Sequence, residues 1–112
     1  MNIAVFLMDW IAAGNLYQTE RYLNCFLEDA ILDDPSVGST FIGQEGILEY
    51  FNSYFIGYQT QTRLIDVNVK DSNHAFVIVE FTGDFPQKRL RGTFDMYFEH
   101  GKISKLTADL IL

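Results

Sequence analysis

The 112 residues have the length of one domain, and 48% of them are apolar, which excludes a disordered chain. The net charge of −7 makes nucleic acid an unfavourable partner, because an acidic surface repels phosphate groups. The one cysteine, Cys25, excludes an internal disulfide and is typical of a reducing compartment, so we predict a cytoplasmic protein.

The chain opens with an amphipathic segment that is predicted to form a first helix ending at Gly14. The apolar face of this helix would consist of Ile3, Phe6, Leu7, Trp10 and Ile11. Asp9 interrupts the segment and no basic residue precedes it, so it does not resemble a signal peptide. No apolar run approaches the roughly 20 residues that span a bilayer, and no membrane partner is expected.

Two more helices are predicted before residue 59. Asn15 and Gln18 have the spacing of a capping box, which predicts that a second helix starts there. Its buried side would consist of Leu16, Leu23, Phe26, Leu27 and Ala30. A third helix is predicted to start near Gln44 or Glu45. Its apolar stripe would consist of Ile47, Leu48, Phe51, Tyr54, Phe55 and Tyr58.

The pattern of residues 60 to 112 is typical of four successive strands. The segments are TQTRLIDVNVK, HAFVIVEFTGDF, KRLRGTFDMYFE and KISKLTADLIL, and short turns separate them. Because short connections join antiparallel neighbours, we predict an antiparallel meander.

Helices followed by long strands predict the α+β class, with three N-terminal helices packed on a curved, mainly antiparallel sheet. Such a cone-shaped fold would leave a cavity at its open end. The side chains predicted to line this cavity as a ligand pocket are Trp10, Phe26, Phe51, Tyr54, Phe55, Phe94 and Met96. Aromatic side chains could equally fill the cone, and the sequence does not distinguish the two cases.

Two adjacent aspartates end the predicted strand AILDD, residues 30 to 34. Asp33 and Asp34 would point to opposite faces, so only one carboxylate can face the interior. Pro35 favours an extended conformation for Asp34 and ends the strand. A carboxylate at the rim of an apolar cavity would be partly removed from water, which suits a general base. The alternative is a simple turn, which DDPSVG also favours through side-chain hydrogen bonds.

Several short motifs follow one another in a characteristic order along the chain. They are Phe26, Glu28-Asp29, Asp34-Pro35, Gly43-Gln44-Glu45 and Gly101-Lys102-Ile103. In this order they resemble the nuclear transport factor 2-like superfamily, and within it the ketosteroid isomerase and SnoaL-like polyketide cyclase branch. The resemblance covers residues 1–112 as a single domain. It implies the same cone of three helices on a curved sheet, and a homodimer that associates through the sheet.

The resemblance implies that Asp34 is a general base that moves a proton on the substrate. A steroid isomerase also needs an oxyanion hole, formed by a tyrosine of the first helix and a protonated strand aspartate. Trp10 and Phe94 stand at those positions here, and Asp95 lies one residue off. Losing an oxyanion donor costs about 10²–10³ in rate, so steroid isomerisation itself is not expected. The resemblance also suggests Asp109 as an acid or base, although a strand-end aspartate in solvent is the more ordinary explanation.

The other polar residues have simpler explanations. Glu80 is predicted to pair across the sheet with an arginine, whereas His74 and His100 fall at predicted turns, where exposure is expected. The arginines available to Glu80 are Arg63, Arg89 and Arg91. No spacing of His, Asp or Glu suggests a metal site, and no cofactor is predicted.

Two functions remain open from the sequence. The first is a small-ligand domain that holds a hydrophobic molecule and uses Asp34 for proton transfer on a carbonyl compound, as an isomerase or cyclase would. The second is a non-enzymatic dimerisation or interaction domain whose own aromatic side chains fill the pocket. The balanced charge of residues 59–112 favours self-association through the sheet. An epoxide hydrolase or dehydratase is a weaker option, because its Asp–Arg–Asp or His–Asp set is not found.

Overall fold

The computed structural model describes residues 1–111. The helices are α1 (Ile3–Asn15), α2 (Thr19–Leu23) and α3 (Gly43–Phe51), and α3 runs into a π-helical turn, Asn52–Ile56. The strands are β1 (Phe26–Asp34), β2 (Ser39–Ile42), β3 (Gln61–Asp71), β4 (His74–Thr82), β5 (Arg89–Glu99) and β6 (Lys102–Ile111). None of the helices in this part of the chain has the length and apolar character needed to cross a membrane.

The six strands of residues 1–111 form one sheet in the order β2-β1-β6-β5-β4-β3. β1 and β6 run parallel, and every other neighbouring pair is antiparallel. The helices pack on this sheet, which confirms the predicted α+β class and the antiparallel meander of the last four strands. The last residue of the predicted fourth segment, Leu112, lies outside the described residues.

The segment from Phe26 to Ala30 is a strand, so the prediction that it belongs to the second helix is wrong. β1 pairs with β6, and Phe26 lies beside Ile103, a residue far along the chain. Such a partner overrides a local helical pattern because strand formation depends on the neighbours that a strand finds. The second helix is therefore only five residues long, and Leu16, predicted to be buried on it, is exposed.

The turn between α1 and α2 also differs from the prediction. Gly14 lies inside α1, and Tyr17, with a φ of 54°, takes the left-handed conformation that follows the end of the helix. Asn15 does not cap α2. Its side-chain amide donates to the carbonyl of Thr62 (2.9 Å) and its oxygen accepts from the Thr62 amide (2.7 Å). These two hydrogen bonds fix the end of α1 against the start of β3.

Aromatic side chains fill the interior between the helices and one part of the sheet. The rings of Trp10 and Phe94 meet edge to face with 5.1 Å between centroids, and Tyr22 stacks on Phe51 at 4.1 Å. Such contacts add to the free energy gained by burying apolar surface. We define the closed half of the cone as six side chains that are at most 2% exposed: Trp10, Tyr22, Phe26, Phe51, Phe94 and Met96.

Candidate functional site

A cleft of about 260 Å³ opens between α3, the π-helical turn and the loop that joins β4 to β5. Its wall carries six aromatic rings, those of Tyr50, Tyr54, Phe55, Tyr58, Phe81 and Phe85. Among residues 1–111, the one charged side chain in this wall is that of Asp34. The cleft therefore combines an aromatic surface with a single carboxylate.

β1 delivers Asp34 to the cleft because successive residues of a strand alternate between its two faces. Ala30, Leu32 and Asp34 are buried, and Asp34 is only 5% exposed. Asp33 lies on the opposite face, where its carboxylate accepts a hydrogen bond from the Thr40 hydroxyl at 3.0 Å. Of the two adjacent carboxylates, only that of Asp34 is enclosed.

The same carboxylate holds the turn that follows β1. Oδ1 of Asp34 accepts hydrogen bonds from the backbone amide of Ser36 (3.0 Å) and from its hydroxyl (2.5 Å). The amide of Val37 donates to the Asp34 carbonyl at 3.2 Å. The sequence left two alternatives, an enclosed carboxylate or a simple turn. In the structure, the side chain of Asp34 is enclosed and also holds the turn.

The second carboxylate oxygen, Oδ2, accepts a hydrogen bond from the Tyr50 hydroxyl at 3.1 Å. Burial, and next to it the charge of Asp34, raises the pKa of Tyr50 well above its usual value, so Tyr50 remains a neutral donor. A carboxylate oxygen can accept about two hydrogen bonds. Within residues 1–111, Oδ2 receives one, which leaves one acceptor position for a ligand.

Two of the seven predicted pocket residues, Tyr54 and Phe55, line the cleft. The other five belong to the closed half and do not reach it: Trp10, Phe26, Phe51, Phe94 and Met96. The space beside Trp10 and Phe94 is about 10 Å³, close to the size of one water molecule. The cone is therefore filled at one end and open at the other.

The positions that the isomerase resemblance assigns to oxyanion donors lie away from the cleft. Phe94 offers no donor, and the buried Nε1 of Trp10 has no hydrogen-bond acceptor among residues 1–111. Asp95 lies on the outer face of β5, where its carboxylate is 2.5 Å from Nε2 of His74. None of these three residues lines the cleft.

Asp109 does not join Asp34, which corrects its assignment as a second acid or base of this site. It is exposed on the outer face of β6, opposite Thr93 of β5, and its carboxylate accepts from the Leu110 amide at 2.9 Å. The next residue, Leu110, lines the cleft. The alternation of β6 therefore directs a leucine inward and turns the aspartate away.

Sequence reasoning missed several residues of the cleft. Tyr50 was absent from the predicted stripe, although its distances of three residues from Ile47 and four from Tyr54 are helical spacings that could have identified it. Phe81 and Phe85 gave no such signal, because they come from β4 and the loop after it, far along the chain from the other rings of the cleft.

Two predictions about other polar residues have different outcomes. Glu80 accepts a hydrogen bond from Arg63 at 3.3 Å and lies 3.8 Å from Arg89, which confirms the predicted cross-strand pairing. His74 was expected to be exposed, but it is half-buried because its ring stacks on that of Tyr97, with 4.1 Å between centroids.

The family model of the SnoaL-like domain matches residues 7–106. No curated protein sequence matches the chain at a significant level. Three solved structures illustrate the fold. None of the three is more than 20% identical to this chain, so their likeness shows a common fold and not a common substrate.

A protein assigned as a polyketide cyclase from Sinorhizobium meliloti has a TM-score of 0.83 and 20% identity, over 92% of both chains. A Mycobacterium tuberculosis protein in complex with estradiol-17β-hemisuccinate has a TM-score of 0.82 and 13% identity, over 94% of this chain and 90% of that one. A Catenulispora acidiphila protein with a ketosteroid isomerase-like fold, in complex with trimethylamine, has a TM-score of 0.81 and 13% identity, over 92% and 82%.

The helices on a curved six-stranded sheet, with a cleft at the open end of the cone, have the nuclear transport factor 2-like fold. The chain belongs to the SnoaL-like domain family, whose model covers most of its length.

Proposed function

We propose that the cleft binds a small hydrophobic molecule and that Asp34 exchanges a proton with it, as in an isomerase or cyclase acting on a carbonyl compound. The observation that carries this proposal is a carboxylate, 5% exposed, in the aromatic wall of a 260 Å³ cleft. Mostly apolar clefts with a few polar groups are the usual sites of small ligands. The volume lies below the roughly 300 Å³ at which typical ligand pockets begin, which favours a compact molecule.

The bound molecules of two related structures support a small organic ligand. One is estradiol-17β-hemisuccinate, which is largely apolar, and the other is trimethylamine. They differ in size and charge, so the fold itself accepts different ligands and the residues of each cleft decide between them.

The proton transfer would take place at Oδ2 of Asp34. Oδ1 is held by Ser36, which fixes the orientation of the carboxylate. A C–H bond next to the ligand carbonyl gives its proton to Oδ2, and its electron pair forms a C=C bond while the negative charge moves to the carbonyl oxygen. Return of the proton to a different carbon completes an isomerisation, and Asp34 regains its starting state.

The donors that contact Asp34 offer little stabilisation for the enolate oxygen. The hydroxyls of Ser36 and Tyr50 are already used by Asp34, and Trp10 lies in the closed half. Since a missing oxyanion donor costs about 10²–10³ in rate, we expect slow turnover of simple ketones. Substrates that stabilise their own enolate, such as aryl-conjugated ketones and 1,3-dicarbonyl compounds, would react faster.

The test is solvent deuterium exchange into 2-tetralone, a compact aromatic ketone, followed by NMR. The wild-type protein should accelerate the exchange with saturation, and Asp34→Asn should reduce the rate by about 10²-fold or more, as expected for loss of a general base. Asp33→Asn is the matched control, because it removes the neighbouring carboxylate on the outer face. Full activity of the Asp34 variant, or equal losses in both variants, would contradict the role of Asp34.

We further propose that the outer face of the sheet associates with a second copy of the chain. This face exposes Ile31, Tyr97 and Ile111, which belong to three different strands. Apolar side chains exposed on neighbouring strands of one face favour a symmetric dimer, in which the same face is used twice. Sedimentation should therefore give a dimer, and Tyr97→Arg should shift it to monomer. Tyr58→Arg, at the rim of the cleft, is the control that should remain dimeric, and a monomeric wild-type protein would contradict the proposal.

A further inference from the structure

The carboxylate of Asp34 is enclosed without a positive charge beside it. Its three donors are the amide and hydroxyl of Ser36 and the hydroxyl of Tyr50, all of them neutral groups. None of the ion pairs formed within residues 1–111 involves Asp34. A buried charge without an opposite charge is unfavourable, so a cation placed in the cleft would stabilise this side chain.

The rest of the wall suits a cation for a second reason. The faces of aromatic rings attract ammonium groups through their quadrupoles. The rings of the cleft come from separate parts of the chain and lie close together. Their centroids are 5.4 Å apart for Tyr50 and Tyr54, 6.2 Å for Phe55 and Phe81, and 6.1 Å for Tyr58 and Phe85. A small ammonium group near Asp34 would therefore have aromatic rings as its other neighbours.

The cleft offers no positive charge that would hold an anion. Within residues 1–111, no lysine, arginine or histidine contributes to its wall. The net charge of −7 also raises the concentration of cations near the surface and lowers that of anions. A carboxylate or phosphate group in this cleft would be repelled by Asp34, and no positive side chain of the wall would offset the repulsion.

We propose that the cleft recognises the cationic end of an amphiphilic ligand, a tertiary amine or quaternary ammonium group on a compact apolar body, with Asp34 as its counter-ion. This inference rests on the proposed function, because both require the cleft to be a ligand site, and it adds the charge of the ligand. A quaternary ammonium group carries no proton on nitrogen. It can lie beside the carboxylate while Oδ2 keeps its free acceptor position for proton transfer.

The test uses three probes of similar size that differ in charge: phenyltrimethylammonium, its neutral isostere tert-butylbenzene, and benzoate. Binding is followed by the backbone amide shifts of the ¹⁵N-labelled full-length protein, which locate the site and give the affinity. The cation should bind at least about tenfold more tightly than the neutral isostere, since both cation–π and ionic attraction are absent from the latter. Benzoate should bind more weakly than either.

Two pairs of variants separate ionic from aromatic recognition. Asp34→Asn should bring the affinities for the cation and the neutral isostere to within about threefold of each other, whereas Asp33→Asn should keep the difference. Tyr58→Leu should weaken binding of the cation more than binding of the isostere. Its control is Tyr97→Leu, since these two tyrosines are 41% and 43% exposed and only Tyr58 lines the cleft. Tyr58 lies at the rim, so this pair keeps the test available if the Asp34 variant does not fold.

The outcomes distinguish this inference from the proposed function. Equal affinity for the cation and the isostere, or tighter binding of benzoate, overturns the cation site and leaves proton transfer on neutral ketones standing. Tight, Asp34-dependent binding of the cation without any exchange of 2-tetralone supports the cation site and overturns the proton transfer. If none of the three probes shifts the amides of the cleft, the cation site is overturned, and the exchange of 2-tetralone decides the proton transfer separately.

Discussion

The two halves of the cone use the same type of side chain to opposite effect. In the closed half, Trp10, Tyr22 and Phe94 pack against one another and leave about 10 Å³ of space. In the cleft, Tyr54 and Tyr58 stand at a wall around about 260 Å³. The number of aromatic side chains therefore does not distinguish a core from a pocket. Whether the rings fill the space depends on the distance between the backbone segments that carry them.

The polar groups of the two halves differ in the same way. The Nε1 of Trp10 and the hydroxyl of Tyr22 are buried without a hydrogen-bond partner among residues 1–111. The carboxylate of Asp34 has three donors, although it lies deeper than an average aspartate would. A structure that gives an enclosed carboxylate three donors, and keeps open space beside it, has the features of a site rather than of a core.

The largest effect is expected from a cavity in the closed half. Phe94→Ala should lower the free energy of unfolding by about 3–5 kcal/mol, because the surrounding rings cannot close the space left behind. Phe85→Ala removes the same ring from the half-buried rim of the cleft and should cost clearly less. Urea denaturation measures both, and Phe94→Leu serves if the alanine variant does not fold. Equal losses at Phe94 and Phe85 would contradict the division into two halves.

A smaller effect is expected at the boundary between the halves. The ring of Phe81 lies 5.8 Å from that of Phe94 and 6.2 Å from that of Phe55. A methyl group on Gly92 would come within 2.5 Å of the Phe81 ring and 2.9 Å of the Asp109 carbonyl oxygen. Gly92→Ala should therefore destabilise the protein by about 1–3 kcal/mol through overpacking, measured by urea denaturation. It should also weaken binding in the cleft, and unchanged stability with unchanged binding would show that Phe81 does not form the boundary.

The smallest effect is expected on the pH dependence of stability, and it involves one tyrosine from each half. Burial raises the pKa of Tyr22 and of Tyr50 well above that of an exposed phenol, near 10. Above that pH the unfolded chain loses these protons and the folded protein keeps them, so stability should fall as pH rises through 10. Absorbance near 295 nm should show two of the six tyrosines ionising only as the protein unfolds.

The variants Tyr22→Phe and Tyr50→Phe identify these two tyrosines. Each substitution should lower by one the number of tyrosines that ionise only on unfolding. If Tyr50 ionised in the folded protein, its hydroxyl would be open to water. It would then not donate the hydrogen bond to Asp34.

Local pattern was sufficient for the parts of the fold that depend on neighbours in sequence. The last four strands follow from their alternation and short turns, and the third helix from its apolar stripe. β1 could not be predicted in full, because Phe26 becomes a strand residue through pairing with Ile103. The end of α1 was misplaced since Tyr17, and not a glycine, takes the left-handed conformation there.

The candidate site was predictable in a few residues, Asp34, Tyr54 and Phe55, and not in most of its surroundings. Strand alternation requires that only one of the two adjacent aspartates faces inward, and the resemblance to the isomerase branch points to Asp34. The extent of the open space depends on how far the loop after β4 stands from α3, which is a property of the folded backbone. For that reason Trp10 and Phe94 were placed in a pocket, although they lie in the closed half.

The most direct measurement is a map of amide shifts on titration with 2-tetralone and phenyltrimethylammonium. If the cleft is the ligand site, the largest shifts should occur at four residues that line it, Ser36, Val37, Tyr58 and Gln87. Lys105, exposed on the outer face of β6, should not move. Shifts confined to the outer face of the sheet, or none with either molecule, would contradict the cleft as a binding site.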